Sequence, residues 1–448
     1  MKFGGTSVRD AEAFRRVAGI VRGEGGVRPV VVTSAMAKVT DALLAAFDLA
    51  RNGDSDKAIR SLEEHFERHI AVANELLKGE AFEKLAKEID LARRDLTELL
   101  SRVERRSLPL QMLRDAVVAS GELMSSRLLA LVMASEGINA RFVDSRRIVV
   151  TDDEFGNAKP LSEETEDLAR LELNPMFEAG EVPVMGGFIA SNRGGETTTL
   201  GRGGSDYTAA LIGAALEARE IQIWTDVTGV LTCDPRICEN ARTVETLSYE
   251  EAAELAYFGA KVLHPKTIQP AVDNAIPVRV CNSHEPAERG TMVVRGSGFS
   301  ERRIKSIAHK TGITVLRITS ARMLGSYGFM SALFQIFERF RTVIDVISTS
   351  EVSVALTLDN TDNLEKVLAE LGRLGEVSAV GGFAVICIVG EGLRESAGLA
   401  SEIFTTVRDF NVSMISHGAS SVNMTFVVSE TDAPSVIRKL HGEFFGAK

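Results

Sequence analysis

The chain has 448 residues, more than a single hydrophobic core usually holds, so two or three domains are expected. Its composition, 45% hydrophobic and 25% charged, is typical of a globular protein, and no uninterrupted apolar run is long enough to span a bilayer. A net charge of −11 without a long basic block argues against nucleic-acid and anionic-membrane partners, and the absence of a signal-peptide pattern predicts a cytoplasmic protein.

The first stretch, MKFGGTSV, places one lysine before two glycines and two hydroxyl side chains. We expect a short strand to end here and turn into a helix that begins near Val8. Bare backbone amides at a helix start, with a cation beside them, can bind an anion. Lys2, Gly4 and Gly5 are therefore candidate phosphate ligands, and a tight structural turn is the alternative.

Strand-like runs alternate with helical patterns over residues 1–295. Phe14, Val17 and Val21 repeat at helical spacing. The order predicts one α/β domain in which helices cover both faces of a mostly parallel sheet. A charged segment at about 55–110 interrupts the alternation and is interpreted as inserted, solvated helices. The strand-like runs are RPVVVTSA (28–35), EVPVMGGFIA (181–190), IQIWTD (221–226) and AIPVRVC (275–281).

A second glycine-rich stretch has the sequence TTTLGRGGSDYTAAL. Ser205 and Asp206 are N-cap candidates for the alanine-rich helix that follows. The amides of Gly203 and Gly204 precede them, beside Arg202. Neither glycine-rich stretch matches a P-loop or a dinucleotide fingerprint. Two such loops in one sheet, each with a cation, nevertheless favour an anion site over two structural turns.

Three further stretches supply polar side chains. IQIWTDVTGVLTCDPR places Thr225 and Asp226 at an expected strand end, where open parallel sheets bind ligands, and then supplies Arg236. FGAKVLHP supplies Lys261. SGELMS places Glu122 after two small residues, at an expected junction between a loop and a helix.

The cysteines have neither CxxC spacing nor a neighbouring histidine. This spacing predicts unpaired, mostly buried thiols. We predict no metal site formed by protein ligands. The four cysteines are Cys233, Cys238, Cys281 and Cys387.

The C-terminal part of the chain repeats itself. A boundary is predicted at VRGSGFSERR (294–303), where glycine, serine and charge interrupt the periodic pattern. Beyond it, VISTSEVSVALT (346–357) aligns with MISHGASSVNMT (414–425). Strand and helix patterns around both copies predict two ferredoxin-like β-α-β-β-α-β modules, which are expected to bind a ligand rather than to react.

Seven motifs in order resemble those of monofunctional, lysine-sensitive aspartate kinases of the amino acid kinase fold. They are KFGGTSV, SAMAKVTD, SGELMS, TLGRGGSDYTAAL, WTDV, DPR and FGAKVLHP, and the repeats are similar to paired ACT domains. The resemblance covers essentially the whole chain. It implies a catalytic domain over 1–295 and ACT domains over 304–380 and 381–448, between which strands can be exchanged. No fused homoserine dehydrogenase domain is expected.

The resemblance implies that ATP, with Mg²⁺, phosphorylates the side-chain carboxylate of L-aspartate to give 4-phospho-L-aspartate. This reaction is the first step of lysine, threonine and methionine biosynthesis. Because that carboxylate has a pKa of about 3.9, it is already ionised and needs no general base. The lysine and the aspartate that are catalytic in the family correspond to Lys2 and Asp206, and we interpret Asp206 as orienting Lys2 or the helix-start amides.

The same resemblance implies the binding residues. Arg202 is suited to gripping the α-carboxylate of aspartate, and Glu122 to accepting its ammonium group. The expected ATP-binding residues are Lys2, Gly4, Gly5, Thr6, Ser7, Thr225, Asp226, Leu231, Arg236 and Lys261. The expected substrate-binding residues are Thr40, Glu122, Arg202, Gly203, Gly204 and Ser205.

Feedback control through the first ACT module is also implied. Lysine is the first choice of effector and threonine the second, with Asp345 binding the ammonium group and Ser350 the carboxylate. Paired ACT modules further imply a homodimer or a dimer of dimers. The expected effector-binding residues are Met323, Gly325, Ser326, Asp345, Thr349, Ser350 and Glu351.

The chain departs from the family pattern at three places. Leu231 replaces a tyrosine, Asp41 stands where asparagine is common, and only Met1 precedes Lys2. We therefore expect either a start a few codons upstream or an unusually short first strand. A catalytically weak amino acid sensor is the alternative function. Another enzyme of the same fold, such as a nucleoside monophosphate kinase, is a further alternative. The C-terminal repeats disfavour it, and so do Glu122 and Arg202, because an acid with a base suits a zwitterionic amino acid better than a nucleobase.

Overall fold

The computed structural model describes residues 1–24, 26–259, 263, 265–296, 303–325 and 327–446, and the structural statements below concern these residues. The chain forms two compact units. The first comprises Met1–Gly229 and His264–Arg295, and the second comprises Val230–Leu263 and Gly296–Lys448. The segment Val230–Leu263, which lies within the predicted catalytic region 1–295, is grouped with the C-terminal repeats in this division.

The strands are short in the first unit, whereas two strands of the second unit are long. They are β1 Lys2–Phe3, β2 Val31–Thr33, β3 Ala140–Val143, β4 Val150–Thr151, β5 Val182–Gly186, β6 Ile189–Asn192, β7 Thr197–Thr199, β8 Ile221–Thr225, β9 Thr246–Ser248, β10 Val278–Asn282, β11 Thr291–Val294, β12 Ile304–Thr319, β13 Ile347–Thr349, β14 Ser353–Leu358, β15 Glu376–Gly390, β16 Met414–His417 and β17 Asn423–Ser429.

The α-helices lie between these strands. They are α1 Ala11–Gly23, α2 Val39–Arg51, α3 Ser55–Ser61, α4 Glu63–Leu76, α5 Glu80–Arg105, α6 Leu110–Ser135, α7 Ser162–Glu178, α8 Gly204–Ala215, α9 Tyr249–Tyr257, α10 Gln269–Asp273, α11 Phe329–Arg339, α12 Leu364–Leu371, α13 Leu399–Thr406 and α14 Ala433–Phe445.

The main sheet of the first unit is mostly parallel, as predicted. Its strands run in the order β3-β5-β2-β1-β8-β10-β11, and only β11 is antiparallel to its neighbour within this set. The two-residue strand β1 lies between β2 and β8, where Lys2 is in register with Val32 and Ile223. This central position brings the N-terminal lysine to the carboxyl edge of the sheet.

Helices cover the sheet because their apolar side chains repeat on one face. In α1, Phe14, Val17 and Val21 are buried, as their spacing predicts. The charged segment forms α3, α4 and α5, and the buried positions Leu85 and Leu96 of α5 join the same core. The predicted inserted helices are therefore present and packed on one face.

Helix α6 is long and apolar enough to cross a membrane by length and composition alone. Most of its apolar window is buried inside the protein, as in the core helix of a globular unit. One such helix among the described residues is weak evidence for a membrane span.

The two repeats of the second unit share strands. Their sheet has the order β13-β14-β12-β15-β17-β16. The long strands β12 and β15 pair with each other, antiparallel, over most of their length. The first half of β12, from Ile304 to Lys310, pairs with the β15 segment that serves the second repeat. The second repeat was expected to end in a strand after α14, but no strand follows α14 among the described residues. The first half of β12 takes the place of that last strand in the sheet. Separate apolar cores lie beneath the two halves of the sheet.

Candidate active site

Lys2 and Asp206 form an ion pair at the carboxyl edge of the parallel sheet. Lys2 Nζ lies 2.7 Å from Asp206 Oδ1, with 12% and 16% of the two side chains exposed. The amide of Gly4 donates to the carbonyl of Trp224 at 3.2 Å, which ties the glycine turn to the end of β8. A Cβ on Gly5 would lie 2.9 Å from the carbonyl oxygen of Ala35, so the turn needs glycine to pack against the loop after β2.

The helix after this turn begins later than predicted. A 3-10 turn spans Gly5–Val8, and α1 starts at Ala11 rather than near Val8. Asp10 is the N-cap, because its carboxylate accepts from the amide of Ala13 at 2.9 Å. Ser7 is instead buried and donates to the hydroxyl of Ser283 at 2.9 Å.

The second glycine stretch also places its helix differently from the prediction. Gly203, with a φ of +73°, is the N-cap of α8, so Ser205 and Asp206 lie in its first turn and are not caps. A Cβ on Gly203 would lie 2.7 Å from Thr267 Cγ2, so both conformation and space require glycine here. Since Asp206 does not cap its own helix, its carboxylate is available to Lys2.

Glu122 lies in the middle of α6 and not at a junction between a loop and a helix. The helix continues through Gly121. Glycine at this position lets α6 approach the loop after β2 closely, since a Cβ there would lie 2.9 Å from Ala35 Cβ. The amide of Ala35 donates to Glu122 Oε1 at 3.2 Å. Glu122 is 3% exposed, and its Oε2 has no hydrogen-bond partner in the described part of the chain. Burial raises the pKa of Glu122 to about 8.

The loop after β2 meets the start of α8. Ser34 Oγ donates to Ser205 Oγ at 3.0 Å. Thr40 is half-buried in the first turn of α2, and Asp41 beside it is exposed. Arg202 is exposed and makes neither an ion pair nor a hydrogen bond with the described residues, so its guanidinium is free for a ligand.

The predicted nucleotide residues divide between the two units. Thr225 ends β8 in the first unit, as predicted, and its Oγ1 donates to Asp226 Oδ1 at 3.1 Å. Leu231 and Arg236 belong to the second unit, where Arg236 Nη2 pairs with Asp234 Oδ2 at 2.7 Å. Lys261 lies outside the described residues.

Two charged residues near the site, the buried Asp115 and the half-buried Arg68, belong to none of the sequence motifs. Asp115 is fully buried in α6 and accepts from the amides of Gly156 and Thr199 at 2.8 and 2.9 Å. It precedes Glu122 by seven residues, which is two helical turns, so both acids lie on one face. The available sequence signal was an acid within a largely apolar helix.

Arg68 was missed because it lies in the charged insertion. From α4, its Nη2 donates to the carbonyl of Ala37 at 2.6 Å. The amide of Ala37 in turn donates to the carbonyl of Gly5 at 3.1 Å. The inserted helix thus contacts the loop after β2, which contacts the glycine turn.

The predicted effector residues lie in the first repeat of the second unit. Asp345 is 1% exposed in its side chain and already has partners: Lys310 Nζ at 3.1 Å and the hydroxyl of Tyr257 at 2.5 Å. Ser350 Oγ hydrogen-bonds Ser353 Oγ at 2.7 Å in the turn between β13 and β14. Both polar groups therefore make internal contacts that an effector would have to replace.

The remaining effector residues are placed around the same turn and the one before α11. Thr349 ends β13, Glu351 is exposed, and Met323 closes a 3-10 turn that precedes Gly325, whose φ is +65°. Ser326 lies outside the described residues.

Comparison with known proteins gives matches over the whole chain. The amino acid kinase family profile matches residues 1–282, and an ACT domain profile matches residues 386–444. The lysine-sensitive aspartokinase 3 of Escherichia coli K12 is 39% identical over 458 residues, covering 99% of this chain and 98% of that protein. The chloroplastic aspartokinase 3 of Arabidopsis thaliana is 40% identical, covering 99% of this chain and 81% of that protein.

Solved structures give the same result. E. coli aspartokinase III in complex with aspartate and ADP superposes with a TM-score of 0.82 at 38% identity, covering 99% of each chain. The same enzyme in complex with lysine and aspartate gives 0.84 at 38% identity, covering 99% of this chain and 98% of that one. Clostridium acetobutylicum aspartate kinase gives 0.85 at 25% identity, covering 99% of each chain. These matches confirm the predicted fold class.

Proposed function

The chain belongs to the aspartokinase family, and from that premise we propose that it transfers the γ-phosphoryl group of ATP to the side-chain carboxylate of L-aspartate. The product is 4-phospho-L-aspartate. The family relatives include a structure with aspartate and ADP, which supports both substrates. The observation that carries the proposal is the 2.7 Å ion pair of Lys2 and Asp206 between two glycine turns.

The site suits a transfer that needs positioning and positive charge rather than a base. The aspartate carboxylate is ionised at neutral pH, so no proton has to be removed before it attacks phosphorus. Lys2 presents positive charge, and the amide of Gly5 a donor, to the phosphates, whereas the predicted Gly4 amide already donates to the carbonyl of Trp224. Asp206 holds the Lys2 ammonium in place, which makes it a positioning residue for the transfer.

Magnesium fits this site as an ion carried by the nucleotide. Within the described residues, no group of three or more His, Cys, Asp or Glu side chains could hold a metal ion. Phosphate oxygens and water suit Mg²⁺ well, and Asp226, exposed beyond the end of β8, is a candidate carboxylate on the predicted nucleotide side. When bound, the ion would neutralise charge on the phosphates.

Recognition of the amino acid rests on one acid and one base. Glu122 Oε2 is buried without a partner among the described residues, so an ammonium group would supply the missing donor. Arg202 has a free guanidinium that can bind the α-carboxylate in bidentate fashion. Glu122 accepts from Ala35 in the loop after β2, and Arg202 lies three residues before Ser205, which hydrogen-bonds Ser34 in the same loop.

Regulation by lysine follows from the same family membership. The E. coli relative is named lysine-sensitive and has been solved with lysine. An effector ammonium at Asp345 would have to displace Lys310, which now occupies that carboxylate. We keep threonine as the second candidate effector, and a cytoplasmic homodimer or dimer of dimers through the ACT modules as the expected assembly.

The test is an assay of ADP release from MgATP with L-aspartate as acceptor, coupled to trapping of the acyl phosphate by hydroxylamine. We expect ADP and hydroxamate to form in equal amounts with aspartate and not with glutamate. Added lysine should lower the rate more than added threonine does. Absence of aspartate-dependent hydroxamate would refute the kinase, and inhibition by threonine alone would refute the choice of lysine.

Asp206→Asn tests the role of the ion pair in the same assay. Removing one charge of a partly buried pair releases Lys2, and we expect kcat to fall by about 10²-fold or more. Asp41→Asn, on the exposed first turn of α2, is the matched control and should change kcat less than about threefold. Near-normal turnover of Asp206→Asn would contradict the assignment.

A further inference from the structure

Two of the four cysteines are in contact, although their spacing gave no sign of it. Cys233 Sγ lies 2.9 Å from Cys238 Sγ, and both thiols are free and buried. The contact forms because the amides of Ile237 and Cys238 both donate to the carbonyl of Asp234, at 2.9 and 3.0 Å. This turn brings the second cysteine back over the first.

The segment around the pair is held at its base. The amide of Thr232 donates to the carbonyl of Arg242 at 2.8 Å, and the amide of Arg242 donates to Thr232 Oγ1 at 3.0 Å. Both sulfurs pack into the apolar core under the second repeat, within the second unit. The loop between the cysteines is therefore short and closed, so a bond between the sulfurs requires little backbone movement.

We propose that Cys233 and Cys238 form a reversible intramolecular disulfide in the presence of a low-molecular-weight disulfide such as oxidised glutathione. In the first step, the Cys238 thiolate attacks one sulfur of the oxidant and releases one thiolate. The Cys233 thiol then loses its proton to that thiolate or to solvent and attacks Cys238, which releases the second thiolate. Two protein thiols are oxidised and one external disulfide is reduced to two thiols.

The surroundings of the pair set this order. The Cys233 thiol donates a hydrogen bond to Cys238 Sγ. This bond stabilises a thiolate at Cys238 more than one at Cys233. Burial raises the pKa of both thiols, and at Cys238 the hydrogen bond and the Arg438 charge oppose that effect. The reaction is consequently slow and proceeds through local opening of the loop.

The bond would enclose Asp234, Pro235, Arg236 and Ile237. Arg236 is the predicted nucleotide contact and is paired with Asp234 inside this ring. Oxidation therefore fixes the segment that presents Arg236. The dithiol itself does not depend on the proposed kinase activity.

The test uses the full-length protein incubated with oxidised glutathione under native conditions and then alkylated in denaturant. We expect the count of free thiols to fall from four to two, a mass that before alkylation is lower by about two hydrogen atoms, and a peptide pair joining Cys233 to Cys238. Dithiothreitol should restore all four thiols. Cys281→Ser, which alters a buried cysteine of the first unit, should still lose two thiols.

Cys233→Ser and Cys238→Ser should each abolish the mass loss, and Cys238→Ser should also abolish the mixed disulfide that precedes it. Four unreacted thiols after oxidation overturn the proposal. A stable glutathione adduct without the internal bond, or a bond to Cys281 or Cys387, overturns it as well. These outcomes are read by mass, so they are independent of whether aspartate is phosphorylated.

Discussion

At the scale of single residues, Glu122 is the group whose protonation should report on substrate binding. Its carboxyl is buried in α6 with one donor, the amide of Ala35, and its pKa is raised from an ordinary value of 4.5 to about 8. The free protein therefore holds Glu122 protonated at pH 7. A bound ammonium group would instead favour the carboxylate.

We predict that aspartate binding at pH 7 releases up to one proton from Glu122, and that the release disappears above pH 9. Titration calorimetry in two buffers with different ionisation enthalpies measures that number. Glu122→Gln should bind aspartate more weakly and release no proton at this site. Equal proton release by wild type and by Glu122→Gln would show that another group titrates.

The same shift gives a sign for stability. Because the folded pKa lies above the unfolded one, the stabilising contribution of the neutral carboxyl is complete below pH 4.5 and is lost as pH rises through about 8. Glu122→Gln stays neutral, so its stability should fall less than that of wild type between pH 5 and pH 9. Urea denaturation at the two pH values gives the comparison.

At the scale of elements, the inserted helices have a role at the site that composition did not suggest. Arg68 of α4 holds the carbonyl of Ala37, and the amide of Ala37 holds the carbonyl of Gly5. Lys38 beside this contact has a φ of +68°, a conformation that costs free energy and persists only where its neighbours hold it. The insertion thus fixes a loop that would otherwise relax.

We predict that Arg68→Gln raises the KM for aspartate about tenfold, the size expected from losing one charge-assisted hydrogen bond, with a smaller effect on kcat. Arg68→Lys should recover part of the loss, because an ammonium group can still reach the carbonyl. Hydrogen exchange of the amides at 34–38 should accelerate in Arg68→Gln without substrate. Arg93→Gln is the control, because it removes an exposed ion pair between Arg93 of α5 and Glu63. It should change neither the KM for aspartate nor the exchange at 34–38.

A KM within twofold of wild type and unaltered exchange at 34–38 would show that Arg68 only fills space. The exchange measurement needs no catalysis. It therefore tests the contact even if wild type does not phosphorylate aspartate.

At the scale of the whole molecule, the division into units is set by contacts and not by chain order. The segment Val230–Leu263 belongs with the C-terminal repeats, although a single α/β domain was expected to contain it. A buried ion pair links this segment to the repeats: Lys305 Nζ of β12 lies 2.9 Å from Glu251 Oε2 of α9, with 5% and 0% of the side chains exposed. Such a pair does not tolerate the loss of one member.

We predict that Lys305→Met lowers the free energy of unfolding of the second unit by about 3–5 kcal/mol, because it removes the Lys305 cation that pairs with the buried carboxylate of Glu251. Lys439→Met removes an exposed pair with Asp409 and should cost less than about 1 kcal/mol. Chemical denaturation followed by hydrogen exchange in α9 and β12 measures both. Similar losses in the two variants would contradict the structural role of the buried pair.

The sequence alone determined the class of each region and most of the motif residues. Periodicity located α1 and the strands β2, β5, β8 and β10, because burial on one face or on both requires a particular spacing of apolar side chains. Motif order identified the family, which full-length relatives confirm. The sequence could not place the helix starts. Asp10 caps α1 because its carboxylate accepts from the amide of Ala13, and Gly203 caps α8 because there is no space for a Cβ beside Thr267.

Only the tertiary structure decided which distant residues meet. The pairing of Lys2 with Asp206, of Arg68 with Ala37 and of Lys305 with Glu251 joins residues far apart in the chain, and no local pattern records such a partner. The sharing of β12 between the repeats has the same origin. Local propensity fixes what each segment can form, whereas packing and electrostatics between segments select the neighbours.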